Sequence, residues 1–250
     1  MSKRRAERRA REPQAAVPVP RAASAAVPWR RIAFLLLAGA AIYGNSLANP
    51  FAFDDSVSVV NNTSIREWNS GILFAGREVP TAGRPVVNVS MALNYAIGGL
   101  DVRGYHLWNV AMHLLCTLLL FACAGLTLQL RRIPQWLRDR SSDVAFAIAL
   151  LWAAHPLNSE VVDYVTQRSE SMMALAFLAT IDASARALHS RRNGWQTLAV
   201  AASALGMACK ESMVTVPVAV VLYDATLVFD SLVQAVRARW RFYVVLPRRG

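Results

Sequence analysis

Long apolar runs separated by short polar segments make up most of the chain after its first thirty residues. Six of these runs predict membrane-crossing helices, near residues 29–48, 107–130, 143–157, 171–188, 195–210 and 212–229. A shorter run, Val86 to Ile97, carries scattered polar residues and predicts a helix lying on or dipping into the membrane interface. The pattern predicts an all-α, polytopic membrane protein with about six transmembrane helices and a large first outer loop.

The polar segments at the two ends of the apolar runs divide the chain into three predicted regions. Residues 1–28, rich in Arg, Ala and Pro, predict a disordered basic cytoplasmic tail. Residues 29–230 form the predicted transmembrane domain, and 231–250 form a cytoplasmic amphipathic segment. The apolar run that begins at Ile32 continues into a polar loop without a small-residue cleavage site, so it does not have the pattern of a cleaved signal peptide.

Composition and charge support a membrane protein. The chain is 55% hydrophobic and 17% charged, with a mean hydropathy of +0.31, which excludes both an ordinary soluble surface and overall disorder. The net charge of +11 is concentrated beside the apolar runs, which argues against a nucleic-acid partner. By the positive-inside rule, the arginine-rich segments place both termini in the cytoplasm. The preference for arginine over lysine favours a bacterial genome and hence the inner (plasma) membrane.

Two predicted spans are shorter than a bilayer. Val144–Ala154 and Trp195–Ala208 reach roughly 17 and 21 Å at 1.5 Å per residue, against a hydrocarbon core of roughly 30 Å. Their outer ends carry His155-Pro156 and Lys210-Glu211. We therefore expect these polar groups to lie below the outer headgroups in a hydrated cavity. Local thinning of the bilayer is the alternative.

The first outer loop begins with two adjacent carboxylates, Asp54 and Asp55, flanked by aromatic residues. Adjacent side chains diverge in both helices and strands, so at most one of them can be the reacting group. The other would orient it, bind a cation or cap a helix. An Asx turn with a helix cap, without catalysis, is the alternative.

Further polar residues recur at helical spacing near the outer ends of the spans. His106, Asn109 and His113 share one face, but the two histidines lie about 10 Å apart, too far to share an ion without a third element. We expect His113 to pack in the core and His106 to serve a site. A second polar face is predicted in the third outer segment, formed by Glu160, Asp163, Gln167 and Glu170. Lys210-Glu211 is a candidate ion pair.

These segments resemble a known family. The string from Tyr43 to Asp55 resembles the first-loop signature of GT-C glycosyltransferases, and in particular the transmembrane, tetratricopeptide-repeat O-mannosyltransferases and their bacterial relatives. Further matches follow in the family's order: Gly83-Arg84-Pro85, Leu93-Asn94-Tyr95, Gly104-Tyr105-His106, His155-Pro156 with Glu160, Gln167-Arg168-Ser169-Glu170 and Cys209-Lys210-Glu211. Cys209 departs from the pattern, which usually has another small residue there.

The resemblance implies a polyprenyl- or dolichyl-phosphate sugar donor and transfer to a protein Ser or Thr hydroxyl at the exoplasmic face. Asp54 and Asp55 are the implied catalytic residues, and a single base without a covalent intermediate implies inversion. The resemblance names no definite cofactor, and a divalent cation at Asp54 and Asp55 is left open. The donor phosphate and its pocket are assigned to Arg84, His106, His155, Glu160, Gln167, Arg168, Glu170, Lys210 and Glu211.

Two other functions remain open. Family members continue through more spans and many carry a tetratricopeptide-repeat array, whereas this chain ends at Gly250. A truncated product, one part of a split enzyme, or a non-catalytic assembly module of the membrane is therefore an alternative. A small transporter would need charged residues deep in mid-span. Asp182 and Asp224 come nearest to this, and both lie near the inner face, which disfavours that function.

Overall fold

The structure is a computed structural model that describes residues 28–189 and 194–246, so the predicted tail lies almost entirely outside the described residues. Within these ranges the chain is helical and contains no strand, as predicted. The α-helices, numbered α1 to α10 here, are Trp29–Tyr43, Pro85–Gly98, Val102–Leu128, Gln135–Asp139, Ser141–Ala153, Asn158–Asp163, Arg168–His189, Gly194–Met207, Val216–Tyr223 and Leu232–Val245. Short 3-10 and π turns extend several of them.

Each of the six predicted spans corresponds to a helix. Four helical segments in the described part of the chain are long and apolar enough to cross a membrane: Trp29–Ala48, Val102–Leu128, Val165–Leu188 and Glu211–Val228. The other two, α5 and α8, have 13 and 14 residues. Because a helix rises about 1.5 Å per residue, both fall short of a bilayer of about 30 Å, as the sequence predicts.

Local sequence sets several of the helix ends. Pro85 occupies the first turn of α2, where its missing N–H would lack a helical partner in any case. The same helix ends at Gly99, whose φ of +58° is one that other residues rarely adopt. The Asp101 carboxylate accepts a hydrogen bond of 3.0 Å from the Arg103 N–H, which caps α3 and starts it five residues before the predicted span.

Small side chains let the central helices pack closely. Helix α7 packs against α8 and α3, and α3 also packs against α5. Ala145 and Ala149, one turn apart on α5, are fully buried against α3, and Ala199 is fully buried in the cluster that joins α7, α8 and α9. Such residues allow close backbone approach where lipid supplies no hydrophobic driving force between helices.

Polar contacts mark one end of the bundle. Arg31 at the start of α1 pairs with Asp143 at the start of α5, and Arg132 pairs with Asp230 at 3.0 Å. Near this end, Arg239 of α10 donates to the buried Asp224 carboxylate at 2.6 Å. The first outer loop and the segment after α5 lie at the opposite end.

Helix α10 packs along the bundle on one face. Tyr243 and Leu246 belong to the core cluster of α7, α8 and α9, and the Ser203 hydroxyl of α8 donates to the Leu246 carbonyl at 2.7 Å. The opposite face exposes both apolar and basic side chains, among them Trp240 and Arg241. The described part of the segment that the sequence predicts as cytoplasmic and amphipathic is thus packed on one face, with a mixed apolar and basic outer face.

Candidate functional site

The two adjacent carboxylates of the first outer loop have different environments. Asp54 is exposed, and its backbone N–H donates to the Tyr164 hydroxyl oxygen at 3.1 Å. The preceding residue, Phe53, has a φ of +49°, a left-handed conformation that is strained for a bulky side chain. Its exposed ring lies edge-on to Tyr164, with centroids 5.7 Å apart.

Asp55, in contrast, is fully buried and its two carboxylate oxygens are saturated. Oδ1 accepts from the Thr166 N–H and hydroxyl, both at 2.7 Å, and Oδ2 accepts from the Ala52 N–H at 3.1 Å and the Val165 N–H at 3.3 Å. Val165 and Thr166 open the turn that leads into α7, so Asp55 caps a helix 110 residues further along the chain. The cap that the sequence left as an alternative is therefore present, but it caps a distant helix.

An open cavity of about 610 Å³, which we call the Asp54 cleft, lies beside Asp54: the preceding Phe53 and the hydrogen-bond partner Tyr164 line it, whereas Asp54 itself does not. One wall comes from the first loop and the other from α6. Its lining residues are Asn49, Pro50, Ala52, Phe53, Ser159, Glu160, Asp163 and Tyr164. The cleft combines aromatic surfaces with carboxylates, and none of the residues that line it is basic.

The predicted polar face from Glu160 to Glu170 is interrupted. The chain is extended at Tyr164, with φ −104° and ψ 111°, which ends α6 at Asp163. Glu160 still contacts Gln167, whose side-chain amide donates to it at 3.2 Å, but Glu170 lies beyond the break, on α7. The prediction of one continuous helical face was wrong, because the Asp55 carboxylate satisfies the N–H groups that begin a second helix.

Two cations and two carboxylates form a second group, which we call the charge cluster: Arg84, Glu170, Lys210 and Glu211. Lys210 contacts the Glu170 carboxylate, and Arg84 lies 3.5 Å from Glu211 and donates to the Ser169 hydroxyl at 3.3 Å. Lys210 and Glu211 thus pair with other residues and not with each other, which corrects the predicted ion pair. The side chains of these two adjacent residues point in different directions, as those of Asp54 and Asp55 do.

Arg168 lies between these groups but is fully buried. Its guanidinium donates to the Asn109 side chain at 3.1 Å, the Ser90 hydroxyl at 3.2 Å and the Tyr105 carbonyl at 3.1 Å, and it lies 5.4 Å from the Trp108 ring centroid. These contacts tie α2, α3 and α7 together. Arg168 is therefore placed as a structural centre beneath the site, whereas Arg84 and Lys210 remain partly accessible.

The three histidines near the site also differ in how far they are buried. His106 is buried, with Nε2 3.0 Å from the Asn49 carbonyl oxygen, so it supports the wall of the Asp54 cleft. His113 packs between Tyr43 and Trp152, and its Nε2 lies 3.1 Å from the Ala153 carbonyl, as expected for a core residue. His155 is exposed, and its Nδ1 accepts from the Leu157 N–H at 3.3 Å.

An apolar path leads to the charge cluster from the side of the bundle. A groove of about 340 Å³, the lateral groove, is lined by Leu120, Trp152, Met173, Ala174, Phe177, Leu178, Ser212 and Thr215. A smaller cavity of about 130 Å³ shares Trp152, Met173 and Ala174 with this groove and reaches Glu170. Helix α6 separates this path from the Asp54 cleft, since Asn158 and Val161 line the small cavity while Ser159 and Glu160 line the cleft.

The described residues contain no group of three or more His, Cys, Asp or Glu side chains placed to hold a metal ion. Burial, and then the charges of Asp54 and Asp55, raise the pKa of the Tyr164 hydroxyl. Tyr164 therefore stays protonated at neutral pH. Sequence reasoning missed this residue, because a tyrosine at a membrane surface is common and its only sequence signal is its place beside Asp163.

The comparisons with known proteins agree with the resemblance drawn from the sequence. No family model matches, and no solved structure matches significantly. The chain is 28% identical to human protein O-mannosyl-transferase TMTC2, over 74% of this chain and 23% of that protein. It is 28% identical to Drosophila melanogaster protein O-mannosyl-transferase Tmtc3, over 73% and 22%, and 29% identical to human TMTC4, over 76% and 28%. The predicted similarity to GT-C O-mannosyltransferases is thus confirmed, and the chain spans about a quarter of these relatives.

Proposed function

We propose that this chain carries the reacting site of a glycosyltransferase that moves a hexose, with mannose as the first candidate, from a polyprenyl- or dolichyl-phosphate donor to a protein Ser or Thr hydroxyl. The similarity to protein O-mannosyl-transferases supports the reaction class. The observation that carries the proposal is the exposed Asp54 beside an open cleft. The partly accessible cations Arg84 and Lys210 contact the first turn of α7, the helix that Asp55 caps.

Asp54 acts as the general base. A Ser or Thr hydroxyl is a poor nucleophile until its proton is removed, and an exposed carboxylate beside a cleft can accept that proton. The hydroxyl oxygen forms a bond to the anomeric carbon while the bond from that carbon to the phosphate oxygen breaks. The electron pair leaves with the lipid phosphate. One base and no covalent intermediate give inversion at the anomeric carbon.

The charge cluster binds the phosphate. Arg84 and Lys210 are partly accessible, and each contacts a carboxylate, Glu211 and Glu170 respectively. An incoming phosphate would exchange places with one of these carboxylates, so neither cation loses its counter-charge. The same cations stabilise the negative charge that develops on the leaving oxygen.

The lateral groove receives the lipid chain of the donor. Its lining is almost entirely apolar, it opens on the side of the bundle, and it continues through the small cavity to Glu170 of the charge cluster. An isoprenoid chain placed there would remain in apolar surroundings while its phosphate reaches Arg84 and Lys210. The protein acceptor enters from the other side, through the Asp54 cleft.

The site faces the exoplasmic side of the membrane in this proposal. The arginine-rich segments at the opposite end of the bundle favour a cytoplasmic location for both termini, in a bacterial inner membrane. A tetratricopeptide-repeat region or a further membrane part would complete acceptor recognition. Asp55, His106 and Arg168 support the site from beneath, and no step requires a divalent cation.

The test is transfer by the purified chain in liposomes that contain a polyprenyl phosphate carrying radiolabelled mannose, with a Ser- and Thr-containing peptide as acceptor. We expect labelled peptide whose new linkage has the anomeric configuration opposite to that of the donor. A retained configuration would contradict the single-base mechanism. Absence of transfer by the purified chain would favour the alternative of an assembly module.

A further inference from the structure

We infer that Tyr164 is a positioning residue, which fixes the orientation of Asp54 beside the cleft. This inference rests on the proposed function, in which Asp54 receives the acceptor proton. Tyr164 touches Asp54 and its neighbour Phe53 directly, through a hydrogen bond and a ring contact.

The hydrogen bond from the Asp54 backbone determines which hydrogen-bonding capacity the Tyr164 hydroxyl keeps. The Asp54 N–H donates to the Tyr164 oxygen at 3.1 Å, so the hydroxyl's own hydrogen remains free to donate elsewhere. Burial and the carboxylates of Asp54 and Asp55 raise the pKa of the phenol. The phenol therefore stays protonated, accepts from the backbone of Asp54 and keeps one hydrogen to donate.

The ring of Tyr164 also holds a strained backbone. Phe53 has a φ of +49°, which a bulky residue adopts only where its surroundings enforce it. The edge-on contact with Tyr164, 5.7 Å between centroids, is the aromatic contact that Phe53 makes. Because Phe53 directly precedes Asp54, relaxation of its φ would change the orientation of the Asp54 side chain.

The two residues after Tyr164 secure the other aspartate. Val165 and Thr166 donate their N–H groups to Asp55 at 3.3 and 2.7 Å. Three consecutive residues thus hold both acids, Asp54 through a phenol and Asp55 through backbone amides. This explains how adjacent carboxylates are kept apart, one exposed and one buried.

The test is hydrogen–deuterium exchange of the full chain in nanodiscs, resolved to the Asp54 amide by mass spectrometry. Tyr164→Phe keeps the ring but removes the hydroxyl oxygen that accepts from the Asp54 N–H. Because loss of this hydrogen bond opens the amide to exchange, we expect it to exchange about fivefold faster in the variant. Tyr95→Phe, whose ring lies by Arg66, is the matched control and should leave the exchange rate unchanged. Equal exchange rates in the wild type and Tyr164→Phe would overturn the inference.

A reciprocal measurement covers the case in which the phenylalanine variant does not fold. In Asp54→Asn, loss of the carboxylate charge should let tetranitromethane nitrate Tyr164 at a lower pH than in the wild type, because that charge raises the pKa of the phenol. An unchanged nitration profile would also overturn the inference. If the profiles shift while Asp54→Asn still transfers sugar, the positioning role stands and the proposed function falls.

Discussion

Replacing Asp55 by asparagine should separate the structural acid from Asp54, the proposed base. The carboxylate accepts four hydrogen bonds, two at each oxygen, and it is fully buried. An asparagine keeps one accepting oxygen and places an NH₂ group against two of the four donors, at least one of which is an N–H. Two hydrogen bonds to the carboxylate are lost, at about 1 to 3 kcal/mol each, which lowers the free energy of unfolding by roughly 2 to 6 kcal/mol.

The buried cysteines supply the assay. Cys116, Cys123 and Cys209 are free and buried, so a fluorogenic thiol reagent reports their exposure as detergent-solubilised protein is heated. We expect Asp55→Asn to melt at least about 5 °C below the wild type. Asp54→Asn is the matched control, and its melting temperature should stay close to the wild type, because an exposed carboxylate contributes little to stability. Equal melting temperatures for the two variants would refute the assignment of Asp55 to the scaffold.

Three further changes test the rest of the arrangement. Asp224→Asn and Arg239→Met should each lower the free energy of unfolding by about 3 to 5 kcal/mol, and the double variant by less than their sum, as measured by the same melting assay. Arg168→Lys should lower the free energy of unfolding by about 2 to 4 kcal/mol, because one ammonium group cannot replace a guanidinium that reaches three acceptors on two helices. The thiol-based melting assay measures this change. Lys210→Gln should weaken binding of a polyprenyl phosphate by about tenfold, as measured by tryptophan fluorescence titration, and should leave the melting temperature unchanged.

The features of the fold that depend on local sequence, namely the positions, lengths and ends of helices, were predictable. Hydropathy predicts the six spans because every membrane-crossing helix must present apolar residues to lipid. Helical rise then predicts that α5 and α8 are short. The ends of α2 follow from Pro85 and Gly99, whose backbone preferences are local.

The pairing of polar side chains was not predictable in the same way. Spacing suggested a pair between Lys210 and Glu211, yet Lys210 contacts Glu170, forty residues earlier. Spacing also suggested a continuous helix through Tyr164, which the Asp55 carboxylate interrupts from 110 residues away. Such contacts depend on how helices come together in three dimensions, and one sequence does not specify them.

The most direct measurement compares single-turnover sugar transfer by the wild type and by Asp54→Asn in liposomes. General base catalysis typically contributes about 10² to 10⁴ in rate, so we expect the variant to lose at least about a hundredfold while its melting temperature and donor binding are unchanged. Asp101→Asn, which changes the carboxylate that caps α3, should transfer at the wild-type rate. A rate for Asp54→Asn within a few-fold of the wild type would contradict the account.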